Sequence, residues 1–257
     1  MSFLNPLFRV IVYIPLILFG SIWCWLAPPP PSYFSNKNNF INVYFAKLSF
    51  GWTATLVGIV ILFSSYVYTN CNYKQILRHL CRVAVTAVAW ISTTSIFDAI
   101  RSATGQCTDP EFQSISNCSK YGGNWTGFDA SGHCFVMTYF SLLICEEIRI
   151  LCNWKLLLDK LQASEEHTRN VLSKNNVMLA TYILDLFAII ASMLLIIWDL
   201  VLLTTVVYHH TMYEKWTGGA VGIIMWFITY KYWYRFRISP TLPGSGPYYN
   251  ILSRPPK

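Results

Sequence analysis

The chain is divided into apolar runs that approach or exceed the ~20 residues a helix needs to cross a ~30 Å hydrocarbon core. No single motif constrains its architecture as strongly. The runs fall at roughly 10–26, 48–68, 80–97, 135–152, 178–208 and 219–234. Inside lipid every backbone N–H and C=O must be satisfied internally, which leaves helices or a closed barrel, and the alternating ten-residue segments of a barrel do not occur. The expectation is an all-α, polytopic transmembrane helical bundle of six spans, forming one membrane domain over 1–257. With 54% of residues hydrophobic and only 12% charged, the composition lies far from that of a soluble domain.

Two runs are irregular. The fourth is apolar only from Phe135 to Cys145 before Glu146, Glu147 and Arg149 interrupt it, so a helix lying in the interface is an open alternative. The fifth is longer than a bilayer demands and carries Asp185 and Asp199, which predicts a tilted or projecting helix. The first run lacks a small-residue cleavage pattern behind it and reads as a retained span.

Six spans place both termini on one side. Of the 19 Lys and Arg, only Lys37, Lys47, Arg101, Lys120 and Lys215 fall in the loops of the opposite side, and the rest flank the N-terminus, the 69–79 and 149–177 segments and the C-terminal end. The positive-inside rule then makes both termini cytosolic. The net charge of +7 reports this topology, since the basic residues form no patch interleaved with aromatics of the kind that binds nucleic acid. The 98–133 loop is expected outside or in a lumen. It carries two N-glycosylation sequons, at Asn117 and Asn124, and Cys107 with Cys118, a candidate disulfide for an oxidising compartment. No CxxC or CxxH pattern suggests a metal. The Pro/Gly-rich segment 239–257 reads as a flexible cytosolic tail.

Of the five histidines, His79 and His167 fall among charges in cytosolic loops and read as solvated. His133 opens the fourth run and His209-His210 close the fifth, so the topology brings all three to one membrane boundary. Asp129-Ala-Ser-Gly-His133 reads as a helix start with Asp129 or Ser131 as N-cap. Backbone N–H groups at such a start favour an anion, notably phosphate. Two imidazoles there suit phosphoryl transfer, one as nucleophile and one as proton donor; the alternative is two polar residues anchoring helix ends.

At 100° per residue Asp185, Asp199 and His210 share one face of the fifth helix, and Glu147 shares a face with His133, which predicts polar stripes turned toward the bundle interior. Asp199 lies about 16 Å along an ideal helix from His210, too far to orient it directly. It is expected instead to line a polar pocket or pack against another helix. Glu146 and Arg149 read as an i,i+3 ion pair.

The stretches "PSYFSNKNNFINVYFAKLSFGWT", "TSIFDAIRSATGQC", "GGNWTGFDASGHCF", "VVYHH" and "SPTLPG" run in order across almost the whole chain and strongly resemble the fat storage-inducing transmembrane family. The resemblance implies an endoplasmic-reticulum membrane protein of six spans acting in lipid-droplet formation and similar to lipid phosphatases. It implies an acyl-CoA diphosphatase that hydrolyses the pyrophosphate of fatty acyl-CoA to acyl-4'-phosphopantetheine and adenosine 3',5'-bisphosphate, with no cofactor, and it brings in diacylglycerol and triacylglycerol as partners. Its catalytic pair falls on His133 and His210. Unlike lipid phosphatases, the chain has no RP motif ahead of the SGH block and no Ser-Arg ahead of His210. Glu214, four residues after His210, stands where those enzymes place an orienting Asp, so Asp129, Ser131 and Glu214 are the candidate supports. Lys37, Arg101, Lys120 and Lys215 are cations on the same side that could receive phosphates. The competing readings are a non-catalytic membrane protein that binds and partitions neutral lipid, and a transporter built on the Asp185/Asp199 stripe.

Overall fold

The computed structural model of the chain describes residues 4–109, 111, 113–165, 174–236 and 238–246, with side chains for all of these except 160–165. His167, Arg169, Arg237, Arg254, Lys257, the Lys160 side chain and the 247–257 part of the expected tail lie outside the described residues. The fold is all-α. Among the described residues, four helices are long and apolar enough to cross a membrane: α1 (Pro6–Leu26), α2 (Ser49–Tyr68), α3 (Tyr73–Thr104) and α7 (Lys174–Tyr208). The chain is therefore a multi-pass membrane protein. Between α3 and α7 lie a two-stranded ribbon of β1 (Gln106–Cys107) and β2 (Trp125–Thr126), α4 (Ile115–Lys120) within its loop, α5 (Gly132–Ile148), a 3-10 turn (Arg149–Asn153) and α6 (Trp154–Glu165). After α7 come α8 (Met212–Trp226) and its π-helical continuation Phe227–Tyr232.

α5 is the axis of the bundle. Every residue from Cys134 to Ile148 is buried, and α1, α2, α3, α7 and α8 all pack against it. A helix apolar all round, with no polar face to offer water, is the kind a bundle encloses. This overturns the interfacial alternative for the fourth run. The acids that interrupt it are neutralised by other helices: the carboxylate of Glu147, fully buried, accepts from Arg82 Nε at 2.8 Å and Nη2 at 3.0 Å and from the Tyr230 hydroxyl at 2.7 Å. Glu146 pairs first with Lys231 and only at 3.9 Å with Arg149, so the expected i,i+3 pair is the lesser of its two contacts.

α8 wedges between α5 and α1 through glycines. A Cβ at Gly218 would stand 2.3 Å from the Ser131 carbonyl oxygen, one at Gly222 2.8 Å from that of Phe135, and one at Gly219 2.5 Å from Ile17. Small residues at this spacing let helix backbones approach closely in a membrane.

Three further expectations are corrected. His79 is buried on α3: its Nδ1 lies 2.6 Å from Arg82 Nη1 and its Nε2 3.0 Å from the Ser245 carbonyl oxygen. The described part of the expected tail, Ser239–Gly246, is packed as a strap, because Arg78 donates to the carbonyl of Ser239 and Arg82 to that of Thr241. The Asp185/Asp199 stripe divides: Asp185 is exposed, while Asp199 accepts from Arg9 at 2.8 Å and from Tyr13 on α1. Asp199 packs against another helix as expected, and this ion pair fastens α1 to α7 with no polar stripe left along α7.

Candidate active site

His133 is the second residue of α5. The helix starts there because Ser131, fully buried and extended in backbone, caps the Cys134 N–H with its hydroxyl. Ser131 thus takes the cap role that the sequence left open between it and Asp129. The Ser131 N–H donates to the carbonyl of Glu214 at 3.0 Å, tying the α5 start to the α8 start.

α7 ends at Tyr208, and two residues later His210 adopts φ 61°, the left-handed conformation that ends helices. Histidine is among the few non-glycine residues enriched there. The turn is then caught by a capping box: the Thr211 N–H donates to Glu214 Oε2 at 2.7 Å. The other Glu214 oxygen accepts from the Asp129 N–H at 2.9 Å. One carboxylate therefore holds the segment ahead of His133 and the segment behind His210. It also lies 3.7 Å from His210 Nδ1, too long for a direct hydrogen bond.

His133, His209 and His210 line one cavity of about 190 Å³ with Asp129, Lys37 and Thr205. Its remaining wall is Val201 and Thr204 of α7 and the chain ahead of α2. Ser32 caps a short 3-10 turn (Tyr33–Ser35), Asn39 Oδ1 accepts from the Asn42 N–H at 2.8 Å, and a π-helical turn (Asn42–Ala46) runs into α2. This brings Phe34, Asn39 and Asn42 to the histidines. Sequence reasoning picked out Lys37 and missed these three, Thr204 and Thr205; the asparagine cluster from Asn36 to Asn42 was the available signal. On its far side His210 lines a second cavity of about 720 Å³ with Trp25, Tyr208, Tyr213 and Lys215.

Burial pushes the His133 imidazole down to about 4, with His210, His209, Lys37 and Lys47 adding to the shift by their charge. Burial would raise the Glu214 carboxyl, but the N–H groups of Thr211 and Asp129 and its other partners hold it below its ordinary value. The site thus favours a neutral His133 imidazole and an ionised Glu214 carboxylate. A neutral His133 sharing a cavity with His210 suits attack on phosphorus by the first imidazole with the second handling the proton.

The other candidates are dispersed. Lys215 is buried and donates to the Val206 carbonyl at 2.8 Å, which commits its ammonium to closing the α7–α8 turn. Arg101 stands 3.9 Å from Asp129 at the rim, and Lys120 is exposed on α4. Cys107 and Cys118 are joined in a disulfide that closes the loop around α4. Asn117 and Asn124 are both exposed on that loop. Among the described residues, no three His, Cys, Asp or Glu are grouped so as to hold a metal ion.

A family model described as fat storage-inducing transmembrane protein matches residues 30–230. The acyl-coenzyme A diphosphatase FITM2 of Xenopus tropicalis is 38% identical over 251 residues, covering 94% of this chain and 89% of that protein. The protein of the same name from Homo sapiens is 35% identical over 235 residues, covering 88% and 82%. That from Drosophila melanogaster is 30% identical over 265 residues, covering 95% and 62%. No solved structure matches the chain.

Proposed function

Because the chain belongs to the fat storage-inducing transmembrane family, we propose that it is an acyl-CoA diphosphatase with His133 and His210 as its catalytic pair. The observation that carries the reading is that two helix termini far apart in sequence bring these imidazoles to one cavity beside Lys37. In this mechanism His133 attacks one phosphorus of the CoA pyrophosphate. The bridging P–O bond breaks, its electron pair stays on the leaving oxygen, and His210 donates a proton to that oxygen. His210 then takes a proton from water as the water attacks the phosphohistidine, releasing His133 and the second phosphomonoester. The products are acyl-4'-phosphopantetheine and adenosine 3',5'-bisphosphate.

Glu214 acts as a positioning residue that ties the segment ahead of His133 to the turn behind His210, and Asp129 and Ser131 shape the α5 start. The six-span reading, with both termini cytosolic, sets the site on the lumenal face of the endoplasmic reticulum. The disulfide is consistent with that compartment, as is the exposure of Asn117 and Asn124 as glycosylation acceptors. A role in lipid-droplet formation, with diacylglycerol and triacylglycerol as partners, belongs to the same proposal.

The test is purified protein with oleoyl-CoA, assayed for adenosine 3',5'-bisphosphate. Wild type should release it, while His133→Ala and His210→Ala should lose at least about a hundredfold, the low end for removing a positioned acid-base or nucleophilic group. Release of no nucleotide by wild type would sink the reaction and leave the non-catalytic lipid-binding reading in its place. Covalent trapping of phosphate on a residue other than His133 would sink the nucleophile assignment alone.

A further inference from the structure

At its far end from His133, α5 runs into a polar cavity of its own. The 17 residues of α5 put about 25 Å between the two sites. This cavity, of about 440 Å³, falls within the ~300–1,000 Å³ of ligand pockets. Helix ends meet there: Tyr68 is the last residue of α2, Arg149 follows the last of α5, and Arg235 closes the 3-10 turn Trp233–Arg235 after α8. Gly244 and Ser245 of the C-terminal strap line it with them.

The charges in this cavity do not cancel. Glu146, the one carboxylate among its lining residues, is taken up by Lys231. Arg149 reaches that carboxylate only at 3.9 Å, and among the described residues the Arg235 guanidinium has no ion pair or hydrogen bond. Tyr68 is 3% exposed, yet its hydroxyl donates to none of these residues. Two guanidinium groups and a phenol therefore bring donors to one cavity without acceptors close enough to receive them. Guanidinium forks match the oxygens of a phosphate. With Lys231 and Glu146 cancelling, two positive charges remain to meet a phosphomonoester, which carries close to two negative charges near pH 7. Tyr232 and Trp233, within one turn of Arg235, are exposed. Tyr and Trp gather at the level of the lipid headgroups, and basic pockets among spanning helices take those heads.

We propose that this cavity holds the head of a phospholipid that ends in a phosphomonoester, gripped by Arg149, Arg235 and the Tyr68 hydroxyl. The site is independent of the reaction proposed above. Full-length protein in detergent is given equal amounts of phosphatidylcholine, phosphatidylglycerol and a non-hydrolysable phosphonate analogue of phosphatidate, and retained lipid is read by native mass spectrometry. Wild type should retain the analogue at least about tenfold over the other two, the effect of one added hydrogen bond to a charged group. Arg149→Gln with Arg235→Gln, both exposed side chains whose loss leaves the core intact, should weaken that retention about a hundredfold, tenfold for each arginine. Tyr68→Phe keeps the ring against Trp154 and removes one donor, and should cost about tenfold. Lys37→Met, at the histidine cavity, should change nothing. Equal retention of the three lipids, or an arginine pair that retains the analogue as wild type does, would overturn the site. Loss with Lys37→Met and none with the arginine pair would put the lipid at the histidines instead. Displacement of the analogue by an equal amount of glycerol 3-phosphate would assign the cavity to a soluble phosphate and refute the lipid.

Discussion

Glu214 joins more of the site than any other single side chain. Its two oxygens accept from Asp129 and Thr211, so a change of one atom tests the joint. Glu214→Gln keeps one acceptor and turns the other into a donor facing an N–H. A hydrogen bond to a charged group is worth about 1.5–3 kcal/mol, so kcat should fall by about tenfold or more while KM changes little. A fall confined to KM would assign Glu214 to substrate binding. The pH profile probes the same scale. A nucleophilic imidazole must be neutral, and His133 is held down to about 4. As pH falls through the ordinary histidine value near 6.5 His133 stays neutral, and the activity it supports is lost only near 4. Lys37→Met removes a cation that depresses His133, so the acid limb of kcat/KM should move toward higher pH. An unmoved limb would show that the Lys37 charge does not reach the imidazole.

For the helices, the site depends on how closely α5 and α8 approach. Gly218→Ala places a methyl against the Ser131 carbonyl, a backbone group that cannot yield, with Cys134 Cβ 3.1 Å away. Overpacking of this kind costs about 1–3 kcal/mol. Thermal unfolding in detergent should show the loss, and activity should fall with it because Ser131 caps the helix that carries His133. Gly58→Ala, where a Cβ meets nothing within 4 Å, is the control that should leave both unchanged. The helices and the meeting of His133 and His210 at one cavity were legible in the sequence, since hydropathy is a local signal that survives without contacts. The role of α5 was not. Glu147 was expected to face the bundle interior, but the partners that make full enclosure possible, Arg82, Tyr230 and Lys231, lie 65 to 85 residues away and were not legible. The cap was legible only as a choice between Asp129 and Ser131, because both residue types have the chemistry and the backbone decides.

Over the whole molecule, a second polar cluster lies at the other end of α5 from the histidines. Arg82 donates to Glu147 through two nitrogens and to the Thr241 carbonyl through a third, joining α3, α5 and the C-terminal strap. Arg82→Ala would leave Glu147 buried without its counter-charge, a loss of about 3–5 kcal/mol. The double change Arg82→Met with Glu147→Leu should recover most of it, which thermal unfolding of the three proteins would check. A strap rich in Pro, Gly and Ser reads as solvent-exposed chain because it forms its bonds through backbone carbonyls, which every residue type supplies. That is why Ser239–Gly246 and buried His79 escaped the sequence while the apolar runs did not.

The enclosure of α5 also constrains how the protein is made. A chain is delivered to the membrane from its N-terminus, so α5 emerges with Arg82 already present and with α8, Tyr230 and Lys231 still to come. Asp, Lys or Arg at the centre of a lone spanning helix costs about 2.5–3.5 kcal/mol, and α5 carries two acids near one end. Its release into lipid must wait for the last helices to be synthesised. A protein stopped after His210 should therefore accumulate far less than the full chain in cells, and co-expressing residues 211–257 as a separate fragment should restore its level. Equal accumulation without the fragment would mean that α5 is stable in the membrane before its last neighbours arrive.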